Sequence, residues 1–136
     1  MRIWVLSRWE VENHLAGFLS REPARKVGII LIAGDRTEMH ELEDEVLSNE
    51  KVEILNLIFP DDDTSFTPEI AKQVWEFVRK TNPDLLIVSC QEGKSRSPAI
   101  ALAIDTLLNG REESPFFRFW GTLNRRVFEV MKEVGR

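Results

Sequence analysis

The chain predicts an α/β fold: a single domain with a mostly parallel central sheet of about four strands flanked by helices. Three observations carry this. Val27 to Ala33 and Leu85 to Val88 are continuous apolar runs, the mark of strands buried on both faces of a parallel sheet. Between the strand-like runs lie segments with apolar residues at helical spacing, opened by Ser or Thr and closed by Asn, Gly or Pro. The 136 residues hold no internal repeat, low-complexity stretch or dividing linker, so one domain (1–136) with its own core is expected.

Arg2 to Leu6 reads as a short strand, and Ser7-Arg8-Trp9-Glu10 fits a capping box opening a helix that runs towards Leu19. His14 inside it is expected at the surface or half-buried, and not as a ligand or in catalysis. Pro23 breaks the chain before the second strand, Val27 to Ala33, and Gly34-Asp35 turns it. Thr37 is expected to cap a helix whose stripe is Met39, Leu42, Val46 and Leu47. Glu38, Glu41, Glu43, Asp44 and Glu45 then form a solvated face rather than a metal site, and His40 goes with them. Val52 to Ile58 is the third strand and runs into the polar loop Phe59 to Ser65. Thr67 with Pro68 opens a helix buried through Ile70, Val74, Phe77 and Val78, which Thr81-Asn82-Pro83 stops. Leu85 to Ser89 is the most apolar strand and is expected at the centre. A helix from Ala99 to Leu108, apolar on nearly every side, is expected to be buried and to end at Gly110. Ser114-Pro115 opens a last helix with Phe116, Phe119, Trp120, Leu123, Val127, Val130, Met131 and Val134 at helical spacing. Packing across the sheet is the expected role of that stripe, with a groove for a partner or an oligomer contact as the alternative.

Hydrophobic content of 43% and charged content of 30% are those of a globular protein without a membrane-length apolar run. No signal peptide is evident, and a cytoplasmic location is expected. One cysteine excludes an internal disulfide and a zinc site built on several cysteines, and it argues against thiol relays within the chain. The net charge of −5 offers no general attraction to nucleic acid or to an anionic membrane, so neither is expected as a partner. A local basic pocket in an acidic chain suits a small anionic group better.

That pocket has a candidate in Cys90-Gln91-Glu92-Gly93-Lys94-Ser95-Arg96-Ser97, a loop set between an apolar strand and an apolar helix. Wrapped around an anion, its backbone N–H groups point inward, and the following helix aims its positive end at the same spot. Gln91, Glu92, Gly93, Lys94, Ser95 and Arg96 are therefore candidate phosphate binders. Arg96 adds a planar two-pronged donor for two phosphate oxygens. Gly93 permits a backbone conformation that other residues avoid. Cys90 at the loop's start lies in a field that favours the thiolate, an activated nucleophile when it faces a held phosphate. Ser97 and Pro98 have the chemistry of an N-cap and a first helical residue.

Cys90 and Arg96 separated by five residues, with Gly93 and Ser95-Arg96-Ser97 between and after them, resemble the signature of the cysteine-dependent protein tyrosine phosphatase superfamily. The form looks most like its dual-specificity branch, and the resemblance covers about Leu57 to Leu108. It implies a metal-free, cofactor-free mechanism. Cys90 takes the phosphoryl group as a phosphocysteine, Arg96 and the loop amides hold it, and Ser97 or Ser95 hydrogen-bonds the departing sulfur. One residue departs from the family pattern: Ser89 stands where most members have a histidine that supports the thiolate from behind, so a lower rate is expected.

The resemblance also implies an aspartate general acid on a loop upstream of the cysteine. Asp61, Asp62 and Asp63 lie on such a loop, with Asp62 expected to be the acid and Asp61 close behind. Asp61-x-Asp63-x-Ser65 is also similar to the signature of the haloacid dehalogenase phosphatases. Pro60, the serine at the last position and the mid-chain location count against that reading. The expected function is hydrolysis of phosphomonoesters, first of all phosphotyrosine, phosphoserine or phosphothreonine in proteins. Two alternatives are a catalytically weak module that binds phosphorylated partners, and a phosphoinositide or RNA 5′-phosphatase of the same superfamily, for which Lys94 is the hint.

Overall fold

Four strands form one sheet in the order β1-β4-β2-β3 in a computed structural model that describes residues 1–136. They are β1 (Arg2–Ser7), β2 (Val27–Ala33), β3 (Val52–Ile58) and β4 (Leu85–Cys90), and every neighbouring pair is parallel. The two continuous apolar runs, β2 and β4, are the interior strands, and all their residues are buried. Side chains alternate between the faces. Ile29, Leu31, Leu85 and Ile87 pack with Val11, Leu15 and Leu19 of α1 (Arg8–Ser20) and Val46 of α2 (Asp44–Leu47). Ile30, Ile32, Leu86, Val88 and Cys90 face α3 (Pro68–Thr81), α4 (Arg96–Leu107) and α5 (Arg125–Gly135). The chain runs from β2 out to the β3 edge and returns over the other face to β4. The crevice outside the carboxyl ends of β2 and β4 is therefore a topological switch point, where open α/β sheets hold their ligands.

Local chemistry explains most boundaries. Ser7 and Glu10 form both halves of the capping box, with Glu10 N–H donating to Ser7 Oγ (3.2 Å) and Ser7 N–H to Glu10 Oε1 (2.9 Å). Thr67 caps α3 with Pro68 behind it, and Asn82 ends it in the left-handed region at φ 44°. In α4 the residues from Arg96 to Asp105 are all buried between sheet and α5. Its alanines (99, 101 and 103) let those layers approach, and burying Ile100, Leu102 and Ile104 stabilises the core by about 1.5–3 kcal/mol each. Trp75 of α3 is buried and donates its indole N–H to the Met131 carbonyl of α5 at 2.9 Å. No helix is long and apolar enough to cross a membrane.

Three expected helices differ. The helix from Thr37 is instead a 3-10 turn (Arg36–Glu38), an extended stretch and the single-turn α2. Asp35 rather than Thr37 supplies the cap, accepting from Thr37 N–H at 2.8 Å. The last helix is divided into a 3-10 turn (Pro115–Phe119) and α5, because Asn124 starts a new helix by accepting from Val127 N–H at 3.1 Å. Helix α4 begins at Arg96, and the Ser97 hydroxyl is used elsewhere than as its cap.

Candidate active site

Cys90 is the last residue of β4, 2% exposed, and its side chain points to the α4 face. Its sulfur lies 3.0 Å from Ser97 Oγ and accepts the Ser97 backbone N–H at 3.4 Å. Ser97 thus sets both its hydroxyl and its backbone N–H against the sulfur, at the N-terminal end of α4.

The loop between Cys90 and Arg96 is held from outside by its carbonyls. Gln91 accepts from Arg8 N–H (3.2 Å), Lys94 from the Thr122 hydroxyl (2.7 Å) and Ser95 from Asn124 N–H (3.0 Å). None of the N–H groups from Gln91 to Ser95 donates to a backbone carbonyl, so the loop spends acceptors on the surrounding protein and leaves these donors free of backbone partners. Gly93 makes this path possible, at φ 73° and pressed against the backbone of Leu6 and Ser7.

Arg96 is 6% exposed, and its Nη1 donates to the Phe59 carbonyl at 2.7 Å, which orients the guanidinium. Its Nε is buried without a protein partner. Asp61, Cys90, Gln91, Glu92, Ser95 and Arg96 line one cavity of about 270 Å³. Gly93 and Lys94, expected among the phosphate binders, shape the loop without lining that cavity. A larger cavity of about 520 Å³ lies near the N-terminal end of β1 among Arg2, Trp4, Asp105, Asn109, Arg111 and Phe116, and it contains no nucleophile.

The loop from Phe59 to Ser65 sets its aspartates in different surroundings. Asp62 is turned into its own loop, where its carboxylate accepts Thr64 N–H (3.0 Å), Ser65 N–H (2.7 Å) and Ser65 Oγ–H (2.6 Å). The Ser65 hydroxyl foremost, then the backbone donors, hold its carboxyl below the usual range. Asp61 is the aspartate in the cavity with Cys90. Its Oδ1 accepts from Ser95 Oγ–H (2.9 Å) and Asn124 Nδ2–H (2.8 Å), and its Oδ2 has no protein partner. Asp63 is exposed. Ser95 thus bonds to Asp61, and Ser97 lies against the Cys90 sulfur. No group of three or more His, Cys, Asp or Glu side chains gathers at Asp61 or elsewhere as metal ligands.

Two residues escaped the sequence reading. Asn124 ties Asp61, the Asp62 carbonyl (2.7 Å) and the Ser95 carbonyl together. Its signal was an Asn just ahead of the α5 apolar stripe, where an N-cap belongs. His40, taken for part of a solvated face, is half-buried with Nε2 3.0 Å from Ser89 Oγ, so an imidazole meets the residue that precedes the cysteine. No local signal pointed to it. His14 is exposed, against the Trp9 ring at 4.8 Å.

The same architecture recurs among solved structures. The fold is similar to the human tyrosine phosphatase-like serine/threonine/tyrosine-interacting protein, with a TM-score of 0.67 and 14% identity over 96% of this chain and 89% of that one. It is similar to PTPMT1 solved in complex with PI(5)P, with a TM-score of 0.64 and 17% identity over 91% of this chain and 85% of that one. Tk-PTP in its active form gives 0.62 and 19% identity over 99% and 92%. No family model and no curated protein sequence matches the chain. The fold is that of the protein tyrosine phosphatase-like proteins, the class to which the loop from Cys90 to Ser97 had already pointed.

Proposed function

We propose that this protein is a cysteine-dependent phosphatase that hydrolyses phosphomonoesters through a phosphocysteine on Cys90. One observation carries the reading: a sulfur held against the hydroxyl and backbone N–H of Ser97 shares a 270 Å³ cavity with Arg96 and Asp61. The phosphoryl group sits on the inward N–H groups of the loop, and the free edge of the Arg96 guanidinium, with its unpartnered Nε, holds two of its oxygens. The thiolate attacks phosphorus, an S–P bond forms and the ester O–P bond breaks. Asp61 Oδ2 gives its proton to the leaving oxygen. Water then attacks the phosphocysteine and passes a proton back to Asp61. As the S–P bond breaks, Ser97 Oγ–H and N–H receive the negative charge on sulfur.

Phosphorylated protein side chains are the substrate class we favour. The six lining residues include no aromatic wall, so the cavity suits a phosphoryl group on a short stem as well as on a ring. The test is hydrolysis of an aryl phosphate with chelator present, followed by phosphopeptides, phosphoinositides and 5′-phosphorylated RNA. Cys90→Ser should abolish turnover while inorganic phosphate still binds. Asp61→Asn should lower kcat by about 10²- to 10⁴-fold, and Asp62→Asn far less. Full activity in Cys90→Ser would end the proposal. Phosphate binding with no turnover in the wild type would leave a module that recognises phosphorylated partners.

A further inference from the structure

Behind the loop, on the opposite sheet face from the Cys90 sulfur, Ser89 carries a fully buried side chain. Its strand neighbours are Leu31 and Leu6, so nothing polar adjoins it within the sheet. A hydroxyl buried there without a partner is costly. His40 Nε2, arriving from the β2–β3 connection, is its one hydrogen-bond partner at 3.0 Å.

The residues either side of His40 are both clamped to α1. Arg8 Nη2 donates to the Met39 carbonyl at 3.2 Å, Glu41 N–H donates to Glu12 Oε2 at 2.7 Å, and Arg8 and Glu12 pair at 3.2 Å. Arg8 also gives its backbone N–H to the Gln91 carbonyl. Cys90 is therefore bracketed. The residue before it is held through the Ser89 hydroxyl and the residue after it through the Gln91 carbonyl, both by one assembly of Arg8, Glu12 and His40.

The charges facing His40 come from α1 and α4. Burial first, then Arg8 and Arg96, lower its pKa to about 4 against the opposing pull of Glu12, so the ring is neutral at neutral pH. Nδ1 is buried without a protein partner, so the contact of Nε2 with Ser89 Oγ is the ring's one hydrogen bond to the protein.

We propose that His40 is a positioning residue for the nucleophile: through Ser89 it fixes the strand end from which Cys90 projects, while Arg8 fixes the first residue of the loop. His40 touches neither sulfur nor substrate. The inference rests on the phosphatase reading only for its kinetic consequence, since the geometry of the anion loop is at stake with or without turnover.

The experiment measures inorganic phosphate affinity by calorimetry, and kcat and KM for an aryl phosphate, in the full chain. The variants are His40→Leu, Ser89→Ala, the two combined, and His40→Gln, whose amide reaches the Nε2 position. Loss of one hydrogen bond predicts that each single variant weakens phosphate binding and lowers kcat/KM about three- to tenfold, with the double no worse than either. His40→Gln should restore both to within about twofold of wild type. Folded single variants that bind phosphate like wild type, or a double whose losses multiply, would overturn the proposal. Should His40→Leu fail to fold, Ser89→Ala decides alone, since it removes a single oxygen. If the wild type turns over no ester, the phosphatase reading fails and the phosphate affinities still decide this one. A wild type that binds no phosphate refutes both.

Discussion

Replacing Gly93 by alanine tests whether the anion loop is shaped by a close approach of two backbones. Gly93 sits at φ 73°, and a Cβ there would lie 3.0 Å from Ser7 N, 3.1 Å from Leu6 C and 3.2 Å from Leu6 O. All three are backbone atoms. They cannot step aside cheaply, because β1 is in register with β4 and Ser7 N–H is engaged in the α1 capping box. The left-handed conformation costs alanine about 1–2 kcal/mol, and overpacking adds about 1–3 kcal/mol before relaxation. The loop gives way rather than the sheet. We expect a net loss near 2–3 kcal/mol, a fall in Tm on the order of 10 °C, and phosphate binding weakened at least about tenfold. Gly110→Ala is the control. It has φ 67° with nothing within 4 Å of its Cβ, so it should lose only about 1 kcal/mol and leave phosphate binding intact. Urea unfolding and phosphate titration of the two variants separate conformation from contact. Equal stability losses, with phosphate affinity unchanged in Gly93→Ala, would mean that the close approach to Leu6 and Ser7 does not shape the loop.

Two other outcomes are expected. Asn124→Ala removes the α5 cap, costing about 1 kcal/mol, and releases Asp61 from its orienting amide, which should lower kcat about tenfold with little change in phosphate affinity. Stability should fall as pH drops from about 6.5 to about 4, since the unfolded chain binds a proton at His40 in that window and the native chain does not. The full shift is worth about 3.4 kcal/mol. Solvent screening of a half-buried ring reduces this to about 1–2 kcal/mol. His40→Gln should flatten that part of the pH–stability profile, and an unchanged slope would count against it.

Much of this protein was legible in local chemistry. The buried strands β2 and β4 are continuous apolar runs, and the caps of α1 and α3 follow from Ser7, Glu10, Thr67 and Pro68. Cys90, Arg96 and Ser97 lie within seven residues of one another, so a single turn of chain brings them together. The elements that differ all gave up local bonds for distant ones. The segment after Asp35 has helical spacing, yet Met39 O and Glu41 N–H bond to Arg8 and Glu12 of α1 and His40 to Ser89, so they are unavailable to a helix. The last apolar stripe breaks where Thr122 and Asn124 reach the carbonyls of Lys94 and Ser95.

Periodicity and capping act over a few residues, and so the strands, helices α1 and α3 and the close spacing of Cys90, Arg96 and Ser97 were written in the sequence alone. Which aspartate lies in the cavity with Cys90 turned on which carboxylate was already occupied by Thr64 and Ser65 and which met Ser95 and Asn124. The partnership of His40 with Ser89 joins residues 49 apart. Pairings of that kind leave no spacing to read; they exist only once the sheet has closed and α1 has docked against it.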